Sequence, residues 1–543
     1  MTGRERVLAT LRRQETDRIP WVPFVGCHGG ALIGADAKAY LQSAELMVRG
    51  AAAAVERYQP DGLPVAFDLQ IEAEVLGCEL AWSAENPPAV TSHPLAGGEM
   101  TLNELSVPGP DAGRIAVALD AARRMRKAHE DIALYGLITG PFTLALHLLG
   151  TDIFMKMFDE PETVAALMEF CRDVSVAMAG YYLDAGCDVV AVVDPMTSQI
   201  GPDQFRQYVT PYVAPLFHEV RRRGALGSFF VCGHAQQNLE AMCECRPDNI
   251  SVDENIPLSF VREVCEKAHV SFGGNLQLTT VLLLGSPDDA RRNAVECMEI
   301  GGETGFVLAP GCDLPYATPP ENLQAVTQVV LDPYQREIAK TVSTAQTREQ
   351  LDLKDYGLAD KVIVDIITLD SEACAPCQYM VEAVRKVAPE FEGIVEWREH
   401  KIKYRESLVW MTSLMVHNVP TICIDGEIRF VSRIPARDEL VAAIQDRIFE
   451  KIRMKIGRRR ASILILGDGG EGCRKLQENA EKAITELGAE MNVQLITDEL
   501  EILRHGVSPR QTPVAVLARY QVKSTRRVPD PAIIKEWIKS LSQ

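Results

Sequence analysis

The sequence predicts an α/β chain in which a (β/α)8 TIM barrel is followed by two smaller α/β domains. Three observations carry that prediction. Eight β-rich runs alternate with amphipathic helical segments over the first 335 or so of the 543 residues. A cysteine pair, Cys374 and Cys377, stands between a β-rich run and a helical segment. The outline of that second region then recurs, diverged, toward the C-terminus.

The eight runs are Ile19–Val25, Gly62–Asp68, Ala133–Gly140, Asp188–Asp194, Gly227–Cys232, Asn249–Asp253, Val270–Asn275 and Gly305–Leu308. Helical patterns such as Ser43–Tyr58, Val164–Ala185, Phe205–Arg223 and Pro287–Ile300 separate them. Regular strand–helix alternation argues for a parallel sheet, and eight repeats argue for a closed barrel. Gln70–Ala112 reads as an insertion, a hairpin with loops. Barrel enzymes carry their chemistry at the C-terminal strand ends. Here those ends read Cys27-His28, Asp68, Gly140-Pro141, Asp194, Cys232-Gly233-His234, Asp253-Glu254, Asn275 and Cys312.

Composition sets outer limits. Hydrophobic residues make up 47% and charged residues 24%, as in a soluble globular protein, and the net charge is −19. Acidity of this size argues against nucleic-acid or anionic-membrane partners, which need basic footprints. The first 18 residues carry five arginines and three acids, with no apolar signal-peptide core. Residues 135–154 are broken by glycine, proline and histidine, so no membrane span is expected. A cytoplasmic location follows as the expectation, and there the fourteen cysteines stay reduced unless they do chemistry.

Four domains or segments are expected: a barrel over 1–337, a polar linker over 338–358, a domain over 359–457 and a second over 458–543. In the third segment, Cys374-Ala375-Pro376-Cys377 follows a strand and opens a helix, a thioredoxin-like redox signature. Backbone N–H groups and the macrodipole at a helix start favour a thiolate, and a thiol one turn later can close or resolve a disulfide. Val419-Pro420-Thr421 sits where a cis proline packs beside such a disulfide. The fourth segment keeps the shape, including Thr512-Pro513, but has Gly470 and Cys473 in place of the pair. It reads as a retired structural module. Arg458-Arg459-Arg460 joins the two and reads as a solvated linker.

Cys232 and Cys312 close strand runs five and eight, so both are expected at the barrel mouth. Soft thiolates there suit Zn²⁺. A catalytic zinc uses three protein ligands, and His28, Cys27, His234 and Glu254 are the candidates for the third. The bland alternative is a pair of unrelated buried cysteines. The other cysteines fall on helices or apolar strands and read as core filler.

Gly140-Pro141-Phe142-Thr143-Leu144, Asp194-Pro195, Gly274-Asn275-Leu276 and Pro310-Gly311-Cys312 through Thr318-Pro319-Pro320-Glu321-Asn322 resemble the uroporphyrinogen decarboxylase superfamily. Within it they resemble the methylcobamide:coenzyme M methyltransferase branch, over residues 1 to about 335. The resemblance implies zinc held by a His-x-Cys motif and a later Cys, activating a thiol that takes a methyl group from methylcob(III)amide. Cys232 and Cys312 match the two cysteines, while Phe230 occupies the histidine position. His28, His234 or Cys27 then substitutes, or the metal chemistry has changed. The arginine-rich stretch of the true decarboxylases is replaced by Val25-Gly26-Cys27-His28-Gly29-Gly30, which argues against porphyrin decarboxylation. The C-terminal domains resemble glutaredoxin-like thioredoxin folds, the second being similar to small redox-disulfide proteins of anaerobes.

The sequence thus points to a corrinoid-dependent methyltransferase with a fused thiol–disulfide module. Asp194 and Asn275 are expected catalytic groups at the mouth, Cys374 and Cys377 the redox pair, and Cys232, Cys312, His28 and His234 the metal donors. The cofactor is Zn²⁺, the co-substrate a methylcobamide, free or on a partner corrinoid protein, and the acceptor a small thiol. No corrinoid-binding Asp-x-His-x-x-Gly motif occurs, so the cobamide comes from outside. Homo-oligomers are compatible with the chain. Two rival readings are a disulfide reductase with the barrel as scaffold and a decarboxylase-like lyase without metal.

Overall fold

A computed structural model describes residues 1–540 apart from 99, 342–350, 352, 354–355, 357–360, 373, 461, 490, 506 and 518–520. Most of the expected linker therefore lies outside the described residues. The chain forms two compact units, Met1–Leu440 and Val441–Gln543. Among the described residues no helix is long and apolar enough to cross a membrane.

The strands are β1 (Gly62–Pro64), β2 (Leu80–Ala81), β3 (Ala89–Val90), β4 (Ala133–Thr139), β5 (Val189–Val193), β6 (Leu226–Val231), β7 (Asn249–Val252), β8 (Ser271–Leu276) and β9 (Phe306–Pro310). All but β2 and β3 join one parallel sheet in the order β1-β4-β5-β6-β7-β8-β9. The β2–β3 pair is the hairpin expected in the insertion. The first expected strand shrinks to one parallel bridge, Trp21 to Leu308. Pro20 and Pro23 flank that bridge and have no N–H to offer a ladder. It still spans the seam, because Val22 N donates to Leu308 O (3.0 Å) and Asp61 N to Trp21 O (2.8 Å).

Both faces of the sheet are covered, which is why its strands read as continuous apolar runs. Alternate residues enter the barrel: Tyr135 and Leu137, Val189, Ala191 and Val193, Leu226 and Phe230, Val307 and Ala309. Their neighbours Leu134, Ile138, Val190, Val192, Phe229 and Val231 face the helices instead. The expected helix over 205–223 breaks at Val209, giving Pro202–Tyr208 and Thr210–Arg222. Pro211, early in the second, lacks the N–H that would continue the first.

Strands β10 (Val362–Thr368), β11 (Val395–Lys401), β12 (Thr421–Ile424) and β13 (Glu427–Val431) form a sheet ordered β11-β10-β12-β13. Strands β10 and β11 are parallel, and the other neighbours are antiparallel. In the second unit, β14 (Ser462–Leu466), β15 (Asn492–Ile496), β16 (Val514–Leu517) and β17 (Gln521–Thr525) repeat that order and those directions as β15-β14-β16-β17. The Val419–Pro420 and Thr512–Pro513 bonds are both cis. Helix Arg437–Arg460 runs through the basic triplet.

Candidate active site at the barrel mouth

Strand β6 ends at Val231 and β9 at Pro310, so Cys232 and Cys312 emerge together at the C-terminal mouth. Their Sγ atoms lie 2.8 Å apart. Hydrogen bonding to Cys312 and burial push the Cys232 thiol well above its ordinary range. Both thiols rest on the apolar filling of the barrel. Directly below, Phe230 meets Phe24 (5.2 Å between ring centroids) and Phe67 (5.8 Å) edge to face. The position that would carry a histidine ligand is therefore the centre of an aromatic floor.

Buried carboxylates brace the rim. Gly233 N donates to Asp253 Oδ2 (2.6 Å), holding the backbone just after Cys232. Asn255 adds two hydrogen bonds to the same carboxylate (3.0 and 2.8 Å). Burial lifts Asp253 to about 6. Asp313, which sequence reasoning passed over, accepts from Gly26 N (2.8 Å) and so ties the Cys312 loop to the first strand end. Its position next to Cys312 was the available signal.

Glu254 is different. Its Oε1 accepts from Leu278 N (3.0 Å), but its buried Oε2 has no hydrogen-bond partner among the described residues. A Cβ on Gly311 would sit 2.2 Å from that oxygen, which places it against the backbone next to Cys312. Burial, and then the neighbouring Asp253, push Glu254 up to about 8.

Asp194 and Asn275 both reach the rim, with hydrogen bonds spent inside the protein. Asp194 accepts from Thr143 N (2.8 Å), Thr143 Oγ1 (2.6 Å) and Phe142 N (3.2 Å) at the start of helix Pro141–Leu149. Burial raises it to about 6. Asn275 Nδ2 donates to Asp253 O (3.2 Å) and Ile256 O (2.8 Å), pinning the end of β8 to the loop after β7. His28 has its Nε2 2.7 Å from Tyr58 Oη and its Nδ1 3.0 Å from Tyr316 O. Burial lowers it to about 4, so both ring nitrogens of a neutral imidazole are engaged. His234 sits half-buried two residues after Cys232. Cys27 is buried, and desolvation pushes its thiol well up. Among the described residues no three His, Cys, Asp or Glu side chains converge as a metal cage.

The other thiol pair opens helix Ala375–Val387. Cys374 is half-buried and Cys377 fully buried. Burial, then its hydrogen bond to Cys374, raises Cys377 well above the ordinary thiol range. In the second unit Cys473 is buried near the start of helix Glu471–Leu487, with Gly470 at the N-cap.

A parallel (β/α)8 barrel with a cysteine-lined mouth, followed by thioredoxin-type sheets, defines the class of the molecule. The chain belongs to the uroporphyrinogen decarboxylase family, whose profile, "Uroporphyrinogen decarboxylase (URO-D)", matches residues 2–332. The profile "Thioredoxin domain" matches residues 461–539. Over 334 residues the chain is 28% identical to a methylcobamide:CoM methyltransferase, MtbA, of Methanosarcina acetivorans, covering 60% of this chain and 97% of that one. It is 26% identical over 343 residues to a uroporphyrinogen decarboxylase of Anaeromyxobacter dehalogenans, covering 60% and 97%. Among solved structures, a methyltransferase from Methanosarcina mazei superposes with a TM-score of 0.57 at 26% identity, covering 62% of this chain and 99% of that one.

Proposed function

We propose that the barrel transfers a methyl group between a methylcobamide, free or carried by a corrinoid protein, and a small thiol or similar soft acceptor. The observation that carries this reading is the convergence of Cys232 and Cys312, 2.8 Å apart, at the mouth of a barrel similar to methylcobamide:CoM methyltransferases. The cobamide is a substrate here and supplies the methyl group.

The donor set at the mouth does not suit the zinc that the resemblance implies. A catalytic zinc takes three protein ligands, and among the described residues neither His234 nor Glu254 nor any other His, Cys, Asp or Glu converges with the two thiols as a third. Phe230 closes the histidine position, and His28 has both nitrogens bonded elsewhere.

In this reading the aromatic floor keeps water from the acceptor sulfur, and the two cysteines hold that sulfur by thiol hydrogen bonds. In its ionised form, which gains population as pH approaches 8, Glu254 Oε2 receives the proton of the acceptor thiol. Its pKa near 8 approaches the thiol's own of about 8.5, where proton exchange is most effective. Asp253, Asp194 and Asn275 act as positioning residues. Anaerobic incubation with isotopically labelled methylcobalamin and a panel of thiols tests this. The labelled methyl thioether is expected by mass spectrometry, and its absence with every thiol offered to folded, reduced protein would overturn the proposal.

A further inference from the structure

We propose that Cys374 and Cys377 are the built-in reductant of a Cys232–Cys312 disulfide in the same chain, so that dithiol–disulfide exchange switches the barrel mouth on. The inference rests on the proposed function only for what is switched. The exchange itself stands apart from it.

The docking of the first thioredoxin-like sheet carries the inference. A freely acting thioredoxin-type module presents its thiol turn to outside partners. Here that turn is laid against the barrel. Ala375 packs on the barrel's hydrophobic cluster and Tyr379 is part of it. Tyr379 stacks on His93 with ring centroids 6.0 Å apart. Gln378 Nε2 donates to Val90 O (2.7 Å) in the hairpin of the insertion. From the cis-proline side, Ser432 N donates to Pro420 O (2.7 Å), and Ser432 O accepts from Gln199 Nε2 (3.0 Å). Ile434 N donates to Gln199 Oε1 (2.9 Å). One barrel glutamine thus clamps the segment after β13, itself bonded to Pro420, with both ends of its amide.

Gln199 belongs to the 3-10 turn Pro195–Gln199 that follows β5, and helix Ala375–Val387 lies on that turn. The other side of the same turn touches the loop that carries Cys232. Asn238 Nδ2 donates to Thr197 O (2.9 Å), and a Cβ on Gly233 would sit 3.3 Å from Ser198 Oγ. The turn is shared by the two thiol sites. Negative charge on Cys374 is near enough to raise the Cys232 thiol further. At 2.8 Å, the barrel sulfurs are less than about 1 Å from S–S bonding distance.

The exchange balances without a further reactant. The Cys374 thiolate attacks Sγ of Cys232, the Cys232–Cys312 bond breaks, and its electron pair leaves on Cys312, which takes up the proton Cys374 gave up. The Cys377 thiolate then attacks Sγ of Cys374 and expels Cys232, which takes the proton of Cys377. Two electrons and two protons pass to the barrel pair. A low-molecular-weight disulfide serves as the oxidant that closes the barrel pair, and an external dithiol reopens Cys374–Cys377.

The full-length Cys377→Ser chain tests this, because it stops at the mixed disulfide. After oxidation with glutathione disulfide, acid quench and non-reducing digestion, a peptide joining Cys374 to Cys232 is expected in most chains. Cys374 found free or joined to glutathione alone, beside an intact Cys232–Cys312 bond, would overturn the inference. In the otherwise unchanged chain, the Cys374→Ala/Cys377→Ala variant should slow reduction of Cys232–Cys312 by an external dithiol at least tenfold, and an unchanged rate would contradict it. Methyl transfer by fully reduced protein reports on the barrel reading alone, so the two failures are distinguishable.

Discussion

The two thioredoxin-like sheets share strand order, strand directions and a cis proline, yet only one carries a thiol pair. Cys374 and Cys377 flank the first turn of one helix, and Gly470 and Cys473 hold the equivalent places in the other. After the second cysteine the sequences also part. Tyr379 is buried against the barrel, whereas Lys475, at the matching offset, is exposed. Met380 and Leu476, one residue later, are both buried. The same fold thus stands with and without a thiol pair, and the two sheets differ in their thiols and in one docking face.

The largest effect expected from this contrast is on disulfide reduction. Cys374→Ser or Cys377→Ser should cut turnover of a small aromatic disulfide more than 100-fold, while Cys473→Ser leaves it within twofold. A large loss in Cys473→Ser would show that the second sheet is active after all.

Tyr379→Lys copies the second sheet's residue onto the first and should loosen docking. About a tenfold slower reduction of Cys232–Cys312 is expected, with reduction of the small aromatic disulfide within twofold. Tyr379→Phe serves as its control. The Tyr379 hydroxyl is buried without a hydrogen-bond partner among the described residues, so removing it should be neutral or stabilising.

Gly470→Cys converts the comparison in the other direction. Gly470 has an ordinary φ of −68°, and a Cβ there meets only the Asp468 side chain at 3.0 Å. On mild oxidation the introduced thiol should close a disulfide with Cys473, seen as two fewer alkylated thiols. Failure to close would mean that the helix start in the second sheet differs in more than one residue.

The smallest effect expected lies in the barrel, at Glu254. Its native pKa of about 8 exceeds the ordinary carboxylate value of 4.5, so the folded chain holds a proton that the unfolded chain has lost between those pH values. Stability should therefore fall as pH rises through that window and level off above it. Glu254→Gln should flatten the decline, gaining roughly 2–4 °C in Tm relative to the natural chain at pH 9 for each kcal/mol relieved. Parallel Tm–pH curves for the two proteins would rule out a buried, protonated Glu254.

Much of this arrangement was legible in the sequence because it depends on local pattern. Apolar runs separated by helical periods gave the barrel strands, and the C-terminal ends of β6 and β9, separated by two strands in the sheet, open on one mouth where Cys232 meets Cys312. The Cys374/Cys377 turn and the cis Pro420 could be located from spacing, and Thr512-Pro513 marked the matching place in the second sheet. The first strand could not, because Pro20 and Pro23 remove ladder donors from a run that is otherwise β-rich. The partners of Asp194 and Asn275 were hidden for another reason. They are backbone groups brought close by the fold, and residue type does not reveal which carboxylate or amide will be spent on them. Docking of the first sheet rests on Gln199, Val90 O and Tyr379, distant in sequence and without a motif.

The paired thiols at the barrel mouth are proposed as the site of methyl transfer. The most direct measurement is the rate of thiol-dependent methylcobalamin demethylation, followed by absorbance under anaerobic conditions, for the reduced natural chain and for Cys232→Ser and Cys312→Ser. Turnover is expected in the natural chain, with a loss of at least 100-fold in each variant. Demethylation at the natural rate in either folded variant would contradict that assignment.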